Sequence, residues 1–143
     1  RIQTGIDNLK LSPPAAYALR PPASRSRSIF FLFALDKLGV SPECCLRTAV
    51  AIECFHTASL ILDDLPAHDN ALIRRKRPAT HIAFGEAAAQ LAAVELISTG
   101  YALFAEKVPS PVSVVLIQQC HRRLCGGTGL IGGQLRDLRK HRP

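Results

Sequence analysis

The sequence contains no tryptophan and no methionine, and aromatic residues make up only 6% of its 143 residues. Aromatic and β-branched side chains are the ones enriched in strands, so this shortage disfavours a core built from sheets. Alanine and leucine dominate the 48% apolar content, and both are strong helix formers. The composition therefore predicts an all-α fold, and the length is that of one ordinary domain.

The cysteines lack the spacing of a metal or disulfide framework. There are five of them, an odd number, and no two form a C-x-x-C pair. This pattern favours buried free thiols in a reducing compartment. A zinc site of Cys120, His121 and Cys125 is the alternative, but a structural zinc ion needs a fourth ligand.

Long apolar runs are missing too, since none reaches the roughly 20 residues that cross a bilayer without a break or a charge. We therefore expect no membrane span. The net charge of +7 favours anionic partners, among them phosphate esters and nucleic acid. The arginines are not interleaved with aromatic residues, and no nucleic-acid-binding signature stands out. We therefore expect no nucleic-acid partner.

The chain is predicted to have two parts. Residues 1–28 are basic and rich in proline, with one short helix around 15–19. Residues 29–143 are predicted to form the helical domain. Its expected helices cover 29–38, ended by Gly39; 43–64, with Ser41 as N-cap; 82–107, capped by Thr80; 112–125, where a strand is the alternative; and 131–138.

Three carboxylates fall within seven residues at the end of the predicted 43–64 helix. They are Asp63, Asp64 and Asp69, and Arg74 and Arg75 follow. Mg²⁺ prefers carboxylate oxygens and keeps substrate phosphates among its ligands, while arginine binds phosphate through two hydrogen bonds. The cluster is either a site for a metal-bound phosphate ester or a solvated helix end followed by a charged turn.

His56 lies seven residues before Asp63, so two helical turns place both side chains on one face. The alternative is an ordinary core histidine. Pro66 should end the helix, and Asp69 should then return to the cluster from a short loop. The glycines at 126–133 do not match a phosphate-binding loop, and they predict close packing instead.

Two segments resemble the trans-isoprenyl diphosphate synthases, the polyprenyl synthetase family. Residues 56–92 are similar to the family's first aspartate-rich region in its DDxxxxD form, typical of bacterial and plant farnesyl and geranylgeranyl synthases. GLIGGQLRDL at 129–138 is similar to the family's GGQ-x-x-D-L helix. The resemblance implies an isoprenoid-synthase-type bundle of long helices, as a homodimer or as a heterodimer with a related synthase.

The resemblance also implies an activity and assigns roles. The reaction is the Mg²⁺-dependent head-to-tail condensation of isopentenyl diphosphate with an allylic diphosphate. Asp63 and Asp69 would bind Mg²⁺, with Asp64 beside them as the third member of the catalytic group. The expected substrate-binding residues are Arg74 for the allylic diphosphate; Arg75 and His56 for isopentenyl diphosphate; Arg27 as the diphosphate-binding arginine of the upstream motif; and Gln134 and Asp137 at the cavity. Ala58 and Ser59 are small, which predicts an open pocket and a C20 or longer product.

The sequence departs from the family pattern at several places: Ala71 and Leu72 replace a common acidic pair, and Ala92-Ala93-Val94 replaces an Ala-Gly-Asp segment. Ser24 stands where the upstream Gly-Gly-Lys-Arg-x-Arg-Pro motif has its lysine, and the second aspartate-rich motif does not occur within the 143 residues. We therefore expect the N-terminal half of a synthase, inactive by itself. The alternative is a non-catalytic, small-subunit-like relative that pairs with an active synthase. The expected location is the cytoplasm, or the plastid if the protein comes from a plant.

Overall fold

The structure is a computed structural model that describes residues 1–20, 22–105, 118–119 and 121–140, and it confirms the predicted all-α fold. A 3₁₀ turn covers Pro42–Cys45, and a π-helical turn covers His121–Cys125. The α-helices are α1 (Ile2–Asp7), α2 (Pro13–Leu19), α3 (Ser26–Lys37), α4 (Leu46–Asp63), α5 (Thr80–Phe84), α6 (Glu86–Ala105) and α7 (Leu130–Lys140).

Helix α4 is the centre of the fold, and α1, α2 and α3 all contact it. Its apolar residues surround the helix axis, and this predicts burial on every side. The structure confirms this for Ala49, Val50, Ala51, Cys54, Phe55, Ala58 and Ile61. The predicted start at residue 43 is three residues early, because the 3₁₀ turn comes first and α4 begins at Leu46.

The first 40 residues hold more helix than the sequence predicts. Helix α1 was not expected, since it has only six residues and no acidic first turn or side-chain cap. Helix α3 begins at Ser26, three residues before the predicted start, after Arg25 in the left-handed region at φ 54°. Gly39, at φ 75°, follows its end as predicted, because glycine adopts positive φ without steric cost.

The segment predicted as a charged connector contains a small antiparallel hairpin. Strand β1 (Ile73–Arg74) pairs with β2 (Arg77–Pro78). Arg75 and Lys76 form its two-residue turn at φ 52° and 64°. Such turns normally carry asparagine or glycine. Because Arg75 and Lys76 occupy the turn instead, the sequence does not predict the hairpin.

The predicted 82–107 helix is two helices. Gly85, at φ 87°, separates α5 from α6, and α6 ends at Ala105. Thr80 is the first residue of α5 and not its cap, since Ala79 holds that position. Within α6, a Cβ added to Gly100 would lie 2.9 Å from the Phe55 ring, so this glycine lets α6 approach α4 closely.

Helix α6 is the one candidate membrane span among the described residues, although Glu86 and Glu95 interrupt its apolar sequence. It has 20 residues, and an 18-residue window within it has a mean hydropathy of 1.3, so it could cross a bilayer by length and composition alone. The core helix of a soluble protein satisfies the same criteria. Several α6 side chains belong to the core, namely Ala89, Ala92, Ala93, Leu96 and Leu103.

The chain divides into two compact units, with the boundary after Leu103. In the second unit α7 confirms the helix predicted over 131–138. A Cβ on Gly132 would collide with the Gly127 carbonyl oxygen, which supports the predicted packing role of these glycines. Half of the predicted 112–125 helix, residues 112–117 and Cys120, lies outside the described residues. Cys45 and Cys54 are free thiols, as expected.

Candidate functional site

The aspartate cluster lies where α4 ends and the chain folds back. Helix α4 ends at Asp63, before Pro66, as the sequence predicts. The Asp69 backbone N–H donates to the Asp63 carbonyl oxygen at 3.0 Å, and the Ala71 N–H donates to the Asp64 carbonyl oxygen at 3.2 Å. The predicted short return loop is therefore confirmed, and it places Asp69 next to the end of the helix.

Buried Asp64 and partly buried Arg74 form an ion pair across this loop. Asp64 is 2% exposed, and Arg74 Nε donates to its two carboxylate oxygens at 2.9 and 3.0 Å, while Arg74 Nη2 also donates to Oδ1. The hydrogen bond to Asp64 is the largest cause that raises the pKa of Arg74. The sequence predicts that Asp64 belongs to the metal-binding group and that Arg74 binds the allylic diphosphate. In the structure, the two side chains bind each other.

Asp63 and Asp69 have a different environment. Asp63 is partly buried and Asp69 is exposed, and neither carboxylate accepts a hydrogen bond from the part of the chain that the structure describes. Within that same part, no three histidine, cysteine or acidic side chains converge on one point. Two open carboxylates still fit Mg²⁺, because this ion is usually held by one or two carboxylates together with substrate phosphates.

A basic pair links α3, which carries Arg27, to α4, where His56 lies two turns before Asp63. The exposed Arg27 places Nη1 2.9 Å from His56 Nε2. Arginine can only donate, so His56 Nε2 is the acceptor and the imidazole is neutral. Burial is the largest cause that lowers the pKa of His56, and the positive charge of Arg27 is the second. The structure thus brings together two of the residues expected to bind substrate diphosphate.

The hairpin carries the third of these residues, Arg75, which is partly buried. Burial is the largest cause that lowers its pKa, followed by the positive charge of Arg25. Arg74, Arg75, Asp64 and Thr57 line a cavity of about 20 Å³, room for roughly one water molecule. The hairpin therefore sets the two predicted diphosphate-binding arginines side by side against α4.

Residues that the sequence does not reveal fix the hairpin in place. Arg77 Nη2 donates to the Tyr17 carbonyl oxygen at 2.8 Å, and the Tyr17 hydroxyl donates to the Pro78 carbonyl oxygen at 2.9 Å. The Arg77 guanidinium also lies over the Tyr17 ring, 4.4 Å from its centroid. These contacts tie the hairpin to α2, 60 residues earlier in the chain.

Sequence reasoning also missed Glu53, which is 1% exposed in the middle of α4. It accepts a hydrogen bond from the Ser28 hydroxyl at 2.8 Å and forms an ion pair with Arg25 at 3.3 Å. The available signal was an isolated acidic residue within a helix predicted to be buried all round. A carboxylate there needs a buried partner.

The roles predicted for the pocket and cavity residues are not tested by the structure and stay predictions. Ala58 is buried, and the partly buried Ser59 donates to the His56 carbonyl oxygen at 2.8 Å. Gln134 is partly buried and Asp137 exposed, and both lie on α7 in the second unit.

The matching family model and two similar curated proteins all concern prenyl diphosphate synthases. The family model described as polyprenyl synthetase matches residues 8–142. The chain is 38% identical over 133 residues to a farnesyl diphosphate synthase of Geobacillus stearothermophilus, which covers 90% of this chain and 44% of that protein. It is 35% identical over 134 residues to a chloroplastic protein of Arabidopsis thaliana named heterodimeric geranylgeranyl pyrophosphate synthase large subunit 1, with 91% and 36% covered.

The fold agrees with these relationships. The crystal structure of an FPP/GFPP synthase of Zymomonas mobilis superposes with a TM-score of 0.86 at 30% identity, and covers 99% of this chain and 56% of that one. The chain spans less than half the length of the curated relatives it matches.

Proposed function

The chain belongs to the polyprenyl synthetase family, and from this premise we propose that it supplies one half of an isoprenyl diphosphate synthase site. The open carboxylates of Asp63 and Asp69, whose negative charges act on Arg74 of the hairpin, are the observation that carries the proposal. We propose that these carboxylates bind Mg²⁺ together with an allylic diphosphate. The metal would stabilise the negative charge that develops on the departing diphosphate.

We assign different residues of the chain to the two substrates. Asp63 and Asp69 would hold the metal that binds the allylic diphosphate, and the ion pair with Asp64 fixes the position of Arg74 for contact with the same diphosphate. Arg27, His56 and Arg75 bind isopentenyl diphosphate, where neutral His56 can donate one hydrogen bond from its Nδ1–H. Gln134 and Asp137 of α7 are proposed to line the cavity of the complete enzyme.

Binding of geranyl diphosphate, an allylic diphosphate, tests this proposal by calorimetry with and without Mg²⁺. We expect Mg²⁺ to strengthen binding to the wild-type chain, and Asp63→Ala and Asp69→Ala to lose that increment. Asp7→Ala, which changes an exposed acid on α1, is the control and should keep it. Undiminished Mg²⁺-dependent binding in both site variants would contradict the metal site.

A second function has specific support. Ser24 lacks the cation of the family's lysine, and one relative is named as a subunit of a heterodimer. We therefore also consider a non-catalytic subunit that pairs with an active synthase. Co-purification with a geranylgeranyl diphosphate synthase and a changed product pattern would favour this function. Homodimers with synthase activity in the full-length protein would favour the first.

Product length depends on Ala58 and Ser59, whose small side chains favour a C20 or longer product. Ala58→Phe should shorten the product of a full-length version, and an unchanged product would contradict this assignment. Location in the cytoplasm, or in a plastid for a plant protein, stays a prediction.

A further inference from the structure

Glu53 connects two segments of the chain within the core. Its Oε1 accepts from the Ser28 hydroxyl at 2.8 Å and lies 3.4 Å from the Ser28 backbone nitrogen, while Oε2 lies 3.3 Å from Arg25 Nη1. Arg25 Nη2 also donates to the Leu19 carbonyl oxygen. The Ser28 hydroxyl also lies 2.6 Å from the Ala49 carbonyl oxygen, so its one proton is shared between two acceptors. A buried carboxylate held by an ion pair and by donors of a second segment has a sharply defined position.

The partners of Glu53 lie on both sides of Arg27 in the chain. Arg25 precedes Arg27 by two residues, and Ser28 follows it directly. The backbone of Arg25 has φ 54°, a conformation that non-glycine residues adopt when surrounding contacts hold them there. The contacts to Glu53 therefore fix the chain direction at the start of α3, from which the Arg27 side chain extends.

The same acid lies one helical turn before His56 on α4. Residues three apart on a helix are neighbours on its surface, so a segment that is bound at Glu53 passes beside His56. The result is the 2.9 Å contact between Arg27 Nη1 and His56 Nε2. Arg27 is itself exposed, and long exposed side chains lose conformational entropy when they are held in one geometry.

We propose that Glu53 is a positioning residue for the isopentenyl diphosphate site. It holds residues 25–28 against α4, so that Arg27 and His56 form one preorganised diphosphate-binding pair. This inference rests on the proposed function, because Arg27 and His56 are assigned to that substrate there. Glu53 itself is buried and does not touch the ligand.

Glu53→Gln tests the proposal, since glutamine keeps the size of the side chain and removes its charge. We expect binding of isopentenyl diphosphate to weaken by about tenfold, the loss of one charge-assisted hydrogen bond. Arg27→Ala should weaken it similarly, and the double variant should bind no more weakly than Arg27→Ala, because the two residues act through one contact. Mg²⁺-dependent binding of geranyl diphosphate should stay within twofold of wild type.

Two further variants separate positioning from general stability. Glu95→Gln removes a partly buried acid that accepts from the Ser12 backbone N–H at 2.8 Å, away from this site, and should not change isopentenyl diphosphate binding. Ser28→Ala removes one hydrogen bond to Glu53 and leaves the ion pair with Arg25 in place. It should fold even if Glu53→Gln does not, and give an intermediate loss of binding.

The titration of His56 gives a readout that needs no ligand. Four charged groups act on it: Arg27, Arg75 and Arg74 lower its pKa and Glu53 raises it, and the effect of Arg27 exceeds that of Glu53. If Glu53→Gln releases Arg27, the pKa of His56 rises. If Arg27 stays in place, losing the carboxylate lowers it. Histidine NMR, assigned with His56→Gln, distinguishes the two.

The outcomes are separable. If the wild-type chain binds no isopentenyl diphosphate, the proposed function is contradicted, and the direction of the His56 shift still decides whether Glu53 positions Arg27. A folded Glu53→Gln or Ser28→Ala variant with wild-type binding and no rise in the pKa of His56 would overturn the inference.

Discussion

The acids at and just after the end of α4 are open to ligands, while the acid in the middle of this helix is buried and paired. At the end, Asp63 and Asp69 accept no hydrogen bond from the described residues. In the middle, Glu53 is buried and has Arg25 and Ser28 as partners. A carboxylate without protein partners is available to a ligand, while a satisfied buried one sets the position of its neighbours.

Asp64 shows that the two kinds of acid can be adjacent in sequence. It belongs to the aspartate-rich cluster, yet it is buried and paired with Arg74 like an acid of the core. Clustering in sequence therefore does not decide which carboxylates are open. The following substitutions test this contrast.

Glu53→Ala should produce the largest change. Removing one member of a buried ion pair leaves the other charge without its partner, which costs about 3–5 kcal/mol of unfolding free energy. Arg25 is only 9% exposed and would be that uncompensated charge. Chemical denaturation measures the loss. Glu43→Ala, which breaks the exposed pair between Arg1 and Glu43, is the control and should leave the midpoint unchanged. If Glu53→Ala were as stable as Glu43→Ala, the buried acid would not differ from an exposed one in its contribution to stability.

Asp63→Ala and Asp64→Ala form a matched pair of adjacent substitutions. Asp64→Ala removes charged hydrogen bonds from Arg74 and should lower stability by about 1.5–3 kcal/mol. Asp63→Ala breaks no such contact, so stability should stay near that of the wild type while Mg²⁺-dependent diphosphate binding is lost. The reverse pattern, with Asp63 stabilising and Asp64 dispensable, would mean that the roles of the two acids are exchanged.

The sequence predicts what depends on local patterns. Continuous apolar periodicity predicts α4 at the centre, and Pro66 predicts the loop that returns Asp69 to the helix end. The network of Glu53 is not predictable in this way, because Arg25 and Glu53 are 28 residues apart and only the packing of α3 on α4 brings them together. The same holds for Tyr17 and Arg77, whose contact joins α2 to the hairpin.

The hairpin turn was missed for a local reason, and it offers a smaller test of opposite sign. Lys76 has φ 64°, and a non-glycine residue in the left-handed region costs about 1–2 kcal/mol. Lys76→Gly should therefore raise stability by up to about 1 kcal/mol, since glycine loses part of that gain to its freer unfolded chain. Lys76→Ala keeps the positive φ and should give no gain, so a gain in both variants would point to charge rather than backbone.

The smallest expected effect is a pH dependence that separates the basic pair from the buried acid. The pKa of His56 is lowered from 6.5 in the folded chain, chiefly by burial. Below that pH the unfolded chain binds more protons than the folded one, so stability falls on acidification from about 6.5 to the lowered pKa and is independent of this group above 6.5. The unfolding free energy contributed by this group cannot change by more than about 1.4 kcal/mol per pH unit.

His56→Gln should remove this component of the pH profile, measured by denaturation between pH 7 and 5. Arg27→Ala should leave a shallower slope, because burial remains when the nearby positive charge is gone. An unchanged profile in His56→Gln would show that folding does not lower the pKa of His56, and an unchanged slope in Arg27→Ala would show that Arg27 is not held beside it in solution.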